Sequence, residues 1–183
     1  KPVVAAFFGI EFILLFSHAP FYSFYSNFLK QAGYSTTEIG FLWAVGVMAE
    51  IIMFAIAHVF FKRFSWRLMV SICLILTALR WFMVGSFPQI FAIQFFAQTI
   101  HAFSFGLFHL IAMRIIFQNF SLGQQGRGQA LYSTMWGLGV ASGSILAGHY
   151  WHSLSGEHIF ILAGCAVLLG LGFIRYLPKE VQA

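Results

Sequence analysis

Charge is what this chain has least of. Only 8% of its 183 residues are Asp, Glu, Lys or Arg, against roughly 25% in an ordinary soluble domain. Ten basic and five acidic side chains cannot cover a 20.6 kDa globule in water. That excludes a soluble enzyme, a disordered chain and a disulfide-stapled secreted domain. Aspartate is missing altogether, which removes an aspartyl nucleophile and Asp-based dyads. Cysteine occurs twice, at Cys73 and Cys165, far apart and each in an apolar run. With no CxxC pair, both read as buried thiols acting as small hydrophobes. The pI is near 9.5, yet the basic residues are few and scattered, without the stripe that nucleic acid requires; no nucleic-acid partner is expected. No GxxxxGK loop supports ATP-driven pumping. His58, His109, His149, His152 and His158 share no ligand spacing beyond the i, i+3 pair His149/His152, so neither a metal nor a cofactor is expected. No charged n-region, short h-region and cleavage site can be separated from the first apolar run, so there is no signal-peptide pattern. The chain opens Lys1-Pro2 rather than with Met. The expectation is a cut inside a longer protein.

What is present is apolar sequence in quantity: 60% hydrophobic residues, 24 Phe among them. A spanning helix needs ~20 apolar residues, and a lipid-exposed backbone must satisfy its own hydrogen bonds. The fold class expected is therefore all-α, a polytopic membrane six-helix bundle. Polar or Gly/Pro marks set its spans at about residues 3–28, 36–61, 67–86, 88–117, 128–150 and 158–177. Ser35-Thr36-Thr37-Glu38 is a capping-box pattern opening the second span. Pro88 suits the first turn of the fourth, and Pro178 ends the sixth. Numbering the ends alternately puts eight of the ten basic residues on one side: Lys1, Lys62, Arg63, Arg67, Arg114, Arg127, Arg175 and Lys179. Lys30 stands on the other, and Arg80 lies inside a span. The positive-inside rule then places both termini in the cytoplasm. Gly139-x-x-x-Gly143, with Ala147 one turn on, sets small residues on one face, as close helix packing demands; a gating hinge is the alternative.

Ionisable groups at membrane depth usually face a cavity or a partner. Glu50 lies twelve residues after Glu38, Arg80 thirteen after Arg67, and His101 thirteen after Pro88. At 1.5 Å per residue each sits ~18–20 Å into a ~30 Å hydrocarbon core, entered from alternating sides. All three fall near the midplane, where they can neutralise one another, bind a polar solute or carry a proton. A structural Glu50–Arg80 ion pair is the plainer alternative, as is a single interhelical hydrogen bond for His101. On the first span Glu11, His18, Tyr22 and Tyr25 share a face, and Pro20 would loosen the backbone beside them. Trp43, Val47, Glu50 and Phe54 share a face of the second span. Gln94, Gln98, His101, Ser104, Phe105 and Phe108 share one on the fourth. The candidate substrate and proton-coupling residues are Glu50, Arg80 and His101; Glu11, His18, Tyr22, Trp43, Gln98 and Ser104 are candidate cavity lining. No catalytic residue is expected.

The residues also carry a resemblance. Gly46-Val47-Met48-Ala49-Glu50 resembles the lactose permease segment with the sugar-binding Glu. Leu79-Arg80-Trp81 resembles the segment with the coupling Arg, and Thr99-Ile100-His101 that with the essential His. Residues Lys62 to Arg67 resemble a degenerate copy of the basic loop of the major facilitator superfamily. Ser17-His18-Ala19, Gln31-Ala32-Gly33-Tyr34-Ser35, Leu42-Trp43 through Ala49-Glu50, and His109-Leu110 with Ala112-Met113-Arg114 resemble the 3-phenylpropionic acid permease branch of that clan. The likeness covers essentially all 183 residues. It implies the C-terminal half of a twelve-helix major facilitator transporter in a bacterial inner membrane. Its partners would be the N-terminal six-helix half, the lipid bilayer, a small-molecule substrate and protons. The implied activity is proton-coupled symport by alternating access, of a small aromatic acid such as 3-phenylpropionate, with a sugar or nucleoside as the alternative. By the same resemblance Glu50 accepts from solute or balances Arg80, Arg80 pairs with Glu50 or a solute carboxylate, and His101 links occupancy to protonation. The pattern departs from lactose permease where Ser104 stands for a proton-carrying Glu, Gln98 for a Lys, and Ala19 and Tyr22 for two Asp, so the proton site does not carry over. A self-standing six-helix membrane scaffold or enzyme is the distant alternative.

Overall fold

A computed structural model describes residues 1–178. Lys179, counted above among the basic residues, lies outside the described residues. Helix α1 is Pro2–Gln31, α2 Thr36–Arg63 and α3 Trp66–Ser86; α4, Phe91–His101, passes through a π-helical stretch, Ala102–Leu107, into α5, Phe108–Asn119. A 3-10 turn, Leu122–Gln124, leads to α6, Gln125–Leu168, which tightens into a 3-10 segment, Leu169–Tyr176. No strand occurs among the described residues. Five elements have the length and apolarity to cross a membrane, the last being Leu122–Tyr176 with 55 residues. This last element doubles back at Ser155, whose φ of 61° and ψ of 159° lie outside the helical region. The Ser155 hydroxyl donates to Glu157 Oε2 at 2.6 Å and meets His158 Nδ1 at 3.0 Å, holding the turn. Before Ser155, Gly139, Gly143 and Gly148 lie in order along Phe12, Phe16 and Phe24 of α1; after it, Gly156, Gly170 and Phe173 retreat along Phe28, Ile10 and Gly9. The break expected between the spans ending at about 150 and starting at about 158 is thus a single residue, and the preceding helix reaches 154.

Local chemistry accounts for most boundaries. The Ser35 hydroxyl accepts from the Glu38 N–H at 3.3 Å while Glu38 Oε2 accepts from the Ser35 N–H at 2.8 Å, the capping box expected. Pro88 is not in the first turn of α4, which begins three residues later. It sits instead at the second position of a turn closed by Ile90 N–H to Phe87 O at 3.2 Å, where its fixed φ is pre-set. Gln94 stitches this corner, its amide donating to Val84 O and Phe87 O at 3.3 and 3.1 Å. Pro20 does not break α1, which stays helical for 30 residues. It does remove the donor owed to the Phe16 carbonyl, and Gly143 packs on that carbonyl: an added methyl there would lie 2.5 Å from Phe16 O. Gly139 does the same at Phe12 O, 2.8 Å. The Gly139/Gly143 stripe is therefore a close-packing seam. Between membrane helices, with no water to expel, such contact is what drives association.

The ends sort as the alternation requires. Lys1 Nζ donates to Asn119 O at 3.0 Å, and Arg67 donates to the Leu177 and Arg175 carbonyls at 2.7 and 2.6 Å. One end of the bundle thus gathers the starts of α1 and α3, the end of α5 and the end of the last segment; it is called the basic end below. Helix α2 is the least buried, with 22% of its most apolar window inside, against 56% for α1 and α3. Cys73 is buried as expected, but Cys165 is exposed, because it falls on the outward face of its helix, next to the buried Ala163 and Gly164.

Candidate functional site

Four side chains from three helices form one hydrogen-bonded line. Arg80 comes from α3, Gln98 and His101 from one face of α4, and Glu50 from α2. Arg80 Nη2 donates to Gln98 Oε1 at 3.2 Å, and Arg80 Nη1 to His101 Nδ1 at 2.9 Å. On the far side of the ring, His101 Nε2 meets Glu50 Oε1 at 2.6 Å. A guanidinium has donors only. Nδ1 must therefore accept, and Nε2 carries the hydrogen that goes to the carboxylate. Donor-acceptor matching so assigns the neutral Nε2–H tautomer. The direct Glu50–Arg80 pair considered from sequence is absent; the imidazole stands between the two charges and transmits one to the other.

Two glycines line the approach of α2 to this site. A methyl on Gly46 would sit 3.1 Å from Gln98 Oε1 and 3.5 Å from the His101 ring, so a side chain here would press on the Gln98 amide that holds Arg80. Glu50 lies one turn on, where it meets His101. A methyl on Gly106 would lie 3.4 Å from Met53 and 3.6 Å from the Glu50 backbone. Gly106 belongs to the π-helical stretch, a wider turn that recurs at functional sites, where the sequence pattern predicts one continuous α-helix. It stacks His101 on Phe105 at 5.6 Å and Phe105 on His109 at 6.2 Å.

Arg80 itself is fully buried. Its guanidinium lies 4.2 Å from the Phe21 ring centroid and 4.4 Å from that of Trp81, where ring quadrupoles favour a cation. Trp81 is anchored in turn, its indole N–H donating to Ser17 Oγ at 3.2 Å and the Ser17 hydroxyl to Leu14 O at 2.6 Å. Helix α1 thus supports α3 behind the polar line.

Beside the line lies a cavity of about 260 Å³. Phe21, Tyr22, Trp43, Phe105 and Trp136 give it an aromatic wall, and Glu50, Gln98 and His101 give it a polar one. Trp43 is oriented by its indole N–H, which donates to Ser26 Oγ at 3.0 Å. Glu50 is only partly buried, its side chain 17% exposed. Two cavities of similar size lie elsewhere, one at the end opposite the basic one and one apolar groove along α1 and α6, neither touching a member of the polar line.

Of the residues expected from sequence, Glu50, His101, Gln98, Tyr22 and Trp43 line this cavity, and Arg80 stands directly behind it. Glu11, His18 and Ser104 do not line it: all three turn into the bundle and are buried. His18 meets Leu14 O at 2.8 Å and packs edge-on to Trp81 at 4.8 Å. Ser104 donates to Ile100 O at 3.2 Å. Tyr25 donates to Gln94 Oε1 at 3.2 Å. Phe21 and Trp136 were not singled out beforehand, since each is one aromatic among many. Nor was the pair His109 Nδ1 and Tyr132 Oη, 2.9 Å apart. The signal for it was Tyr132 and Trp136 one turn apart, polar-tipped rings on a helix otherwise rich in small residues.

The model of the MFS_1 like family matches residues 1–162. The chain is 33% identical over 175 residues, 91% of its length, to the probable 3-phenylpropionic acid transporter of Escherichia coli strain K12. It spans 43% of the length of that relative. No solved structure matches. A multi-pass all-helical integral membrane protein, this chain belongs to the MFS_1-like family of major facilitator transporters.

Proposed function

We propose that this bundle forms one wall of the solute site of a proton-coupled secondary transporter for a small aromatic carboxylic acid. The observation that carries the reading is the Gln98–Arg80–His101–Glu50 line opening, at Glu50 and His101, onto five aromatic rings. The rings suit an apolar aromatic body, and the 3-phenylpropionic acid named for the relative is such a molecule. The charges supply the coupling. With Glu50 ionised, Arg80 and Glu50 cancel through the neutral His101, and a solute carboxylate meets a carboxylate. With Glu50 protonated, the Arg80–His101 pair is left with one uncompensated positive charge, which a solute anion neutralises. Proton and anion each make room for the other, the differential interaction that any coupled cycle requires. Arg80 acts as a positioning residue: it fixes the His101 tautomer and supplies the charge from behind. Alternating access would come from rocking of this bundle against the N-terminal half expected from the resemblance, around a site at the midplane. The basic end would face the cytoplasm of a bacterial inner membrane.

The test is uptake by the full-length protein in proteoliposomes. Arg80→Ala and His101→Ala are expected to abolish proton-driven uptake, and Glu50→Gln to abolish its pH dependence. Uptake left intact by all three would overturn the site. Glu50 facing the cavity also suits a sugar or nucleoside hydroxyl; competition by a neutral polyol but not by 3-phenylpropionate would select that reading.

A further inference from the structure

Among the described residues, Glu11 is the one acid at membrane depth that lies outside the solute cavity. By helical rise it sits about 14 Å from the basic end of α1, on the face shared by Phe7, Leu14 and His18. It is fully buried, and neither carboxyl oxygen has a hydrogen-bond partner. This burial is achieved within the bundle itself, without a second half to cover it. The titratable groups on the elements around it are Tyr132 of α6, which is buried, His109 of α5, bonded to Tyr132 at 2.9 Å, and His18 two turns away, bonded to Leu14 O. The charged groups are committed elsewhere. Arg80 holds His101 and Gln98, and Glu50 holds His101. Arg114 lies on the Phe61 ring, and Arg67 and Arg175 sit at the basic end.

An ionised carboxylate at Glu11 would thus have neither donor nor counter-charge, in a setting where both are needed. A neutral acid has no such requirement. The neighbouring pair offers a way out: His109 is only half-buried, and its hydrogen-bond partner Tyr132 is buried on the basic side of Glu11. His109 and Tyr132 lie about 15 and 10 Å from the basic end by the same helical rise. The three form a layer on the basic side of Glu50.

We infer that Glu11 is a second proton-binding site, separate from the solute cavity, loaded in this conformation and emptied through Tyr132 and His109 toward the basic end. The inference rests on the transporter reading above. The balance is simple: a proton taken from water on one side is released to water on the other, with no other bond changed. With one proton at Glu50 and one at Glu11 for each monovalent anion, one net positive charge crosses per cycle. Transport is therefore driven by voltage as well as by a pH gradient. Without the Glu11 proton it is driven by the pH gradient alone.

The experiment uses the full-length protein in proteoliposomes with 3-phenylpropionate as probe, protein-free vesicles subtracted. At equal pH, an inside-negative potassium diffusion potential should drive accumulation by the wild type. Glu11→Gln should lose that response yet keep accumulation driven by a pH gradient, and Glu11→Asp should keep both. Tyr132→Phe should slow uptake without changing its final extent, since it touches the path and not the stoichiometry. Wild-type uptake that follows the pH gradient but ignores voltage would overturn the inference, as would Glu11→Gln retaining the voltage response. If neither gradient moves the probe, it is the substrate reading that has failed. Infrared spectra of the purified protein then decide on Glu11: a protonated-carboxyl C=O band should be present in wild type, shifted in Glu11→Asp and lost in Glu11→Gln. A band unchanged by both substitutions would overturn the inference.

Discussion

Glu11 and Glu50 are the same side chain, in one bundle, both at membrane depth, and their surroundings are opposite. Glu50 is partly open and hydrogen-bonded, and it shares its charge with Arg80 through His101. Glu11 is sealed and has no hydrogen-bond partner. A carboxyl with an imidazole donor and a cation behind it can change charge at modest cost and be read by a solute. A carboxyl with neither holds a proton until its surroundings are rebuilt. The neighbour that makes the difference for Glu50 is His101, beside which α2 packs closely at Gly46. Glu11 is given no such neighbour: it is enclosed, and neither of its carboxyl oxygens is hydrogen-bonded.

Substitutions can break this contrast, and the largest effect is expected at Arg80. Arg80→Ala leaves Gln98 and His101 buried without their donor and Glu50 without its counter-charge. Breaking a buried charged network in this way costs about 3–5 kcal/mol, to be read as loss of thermal stability of the detergent-solubilised full-length protein together with loss of uptake. Arg80→Lys should recover the charge but not the two-pronged bonding to Gln98 and His101, and so restore stability more than transport. Next in size is the seam that carries α1. Gly143→Val places side-chain carbon against Phe16 O and Ala19, an overpacking worth about 1–3 kcal/mol. Gly137→Val, with no atom within 4 Å of the added carbon, should leave the melting temperature nearly unchanged. Smaller again is the loss of the Trp43–Ser26 hydrogen bond. Ser26→Ala frees one cavity ring and should weaken solute binding by roughly fivefold, equivalent to about 1 kcal/mol, without altering its pH dependence. The capping serine is the smallest and lies outside the site: Ser35→Ala should cost about 1 kcal/mol of stability and leave affinity untouched.

The sequence made the helices legible because hydropathy and caps are local. The capping box at Ser35, the small-residue seam at Gly139/Gly143 and the common depth of Glu50, Arg80 and His101 follow from counting along single helices. What counting cannot give is rotation about each helix axis. Glu11, His18, Tyr22 and Tyr25 share a face on paper, yet Tyr22 borders the cavity while Glu11 and His18 are enclosed, because α1 is packed by α6 along that length and by α3 at Trp81. The imidazole between Glu50 and Arg80 was hidden for the same reason: equal depth does not say which of three groups stands in the middle. The π-helical stretch left no trace in hydropathy, since one extra residue in a turn leaves the composition unaltered. The one-residue reversal at Ser155 was read as a longer turn because its polar neighbours Ser153, Glu157 and His158 looked like loop and are helix.

The central claim is that solute and proton meet at Glu50 beside His101. It is tested most directly by the pH dependence of solute affinity in the full-length protein, followed by quenching of Trp43 and Trp136, which line the cavity. Wild type is expected to bind 3-phenylpropionate more tightly as pH falls, because a protonated Glu50 leaves the Arg80–His101 charge for the anion. Glu50→Gln is expected to bind it with an affinity independent of pH. Equal slopes in the two proteins would contradict the account.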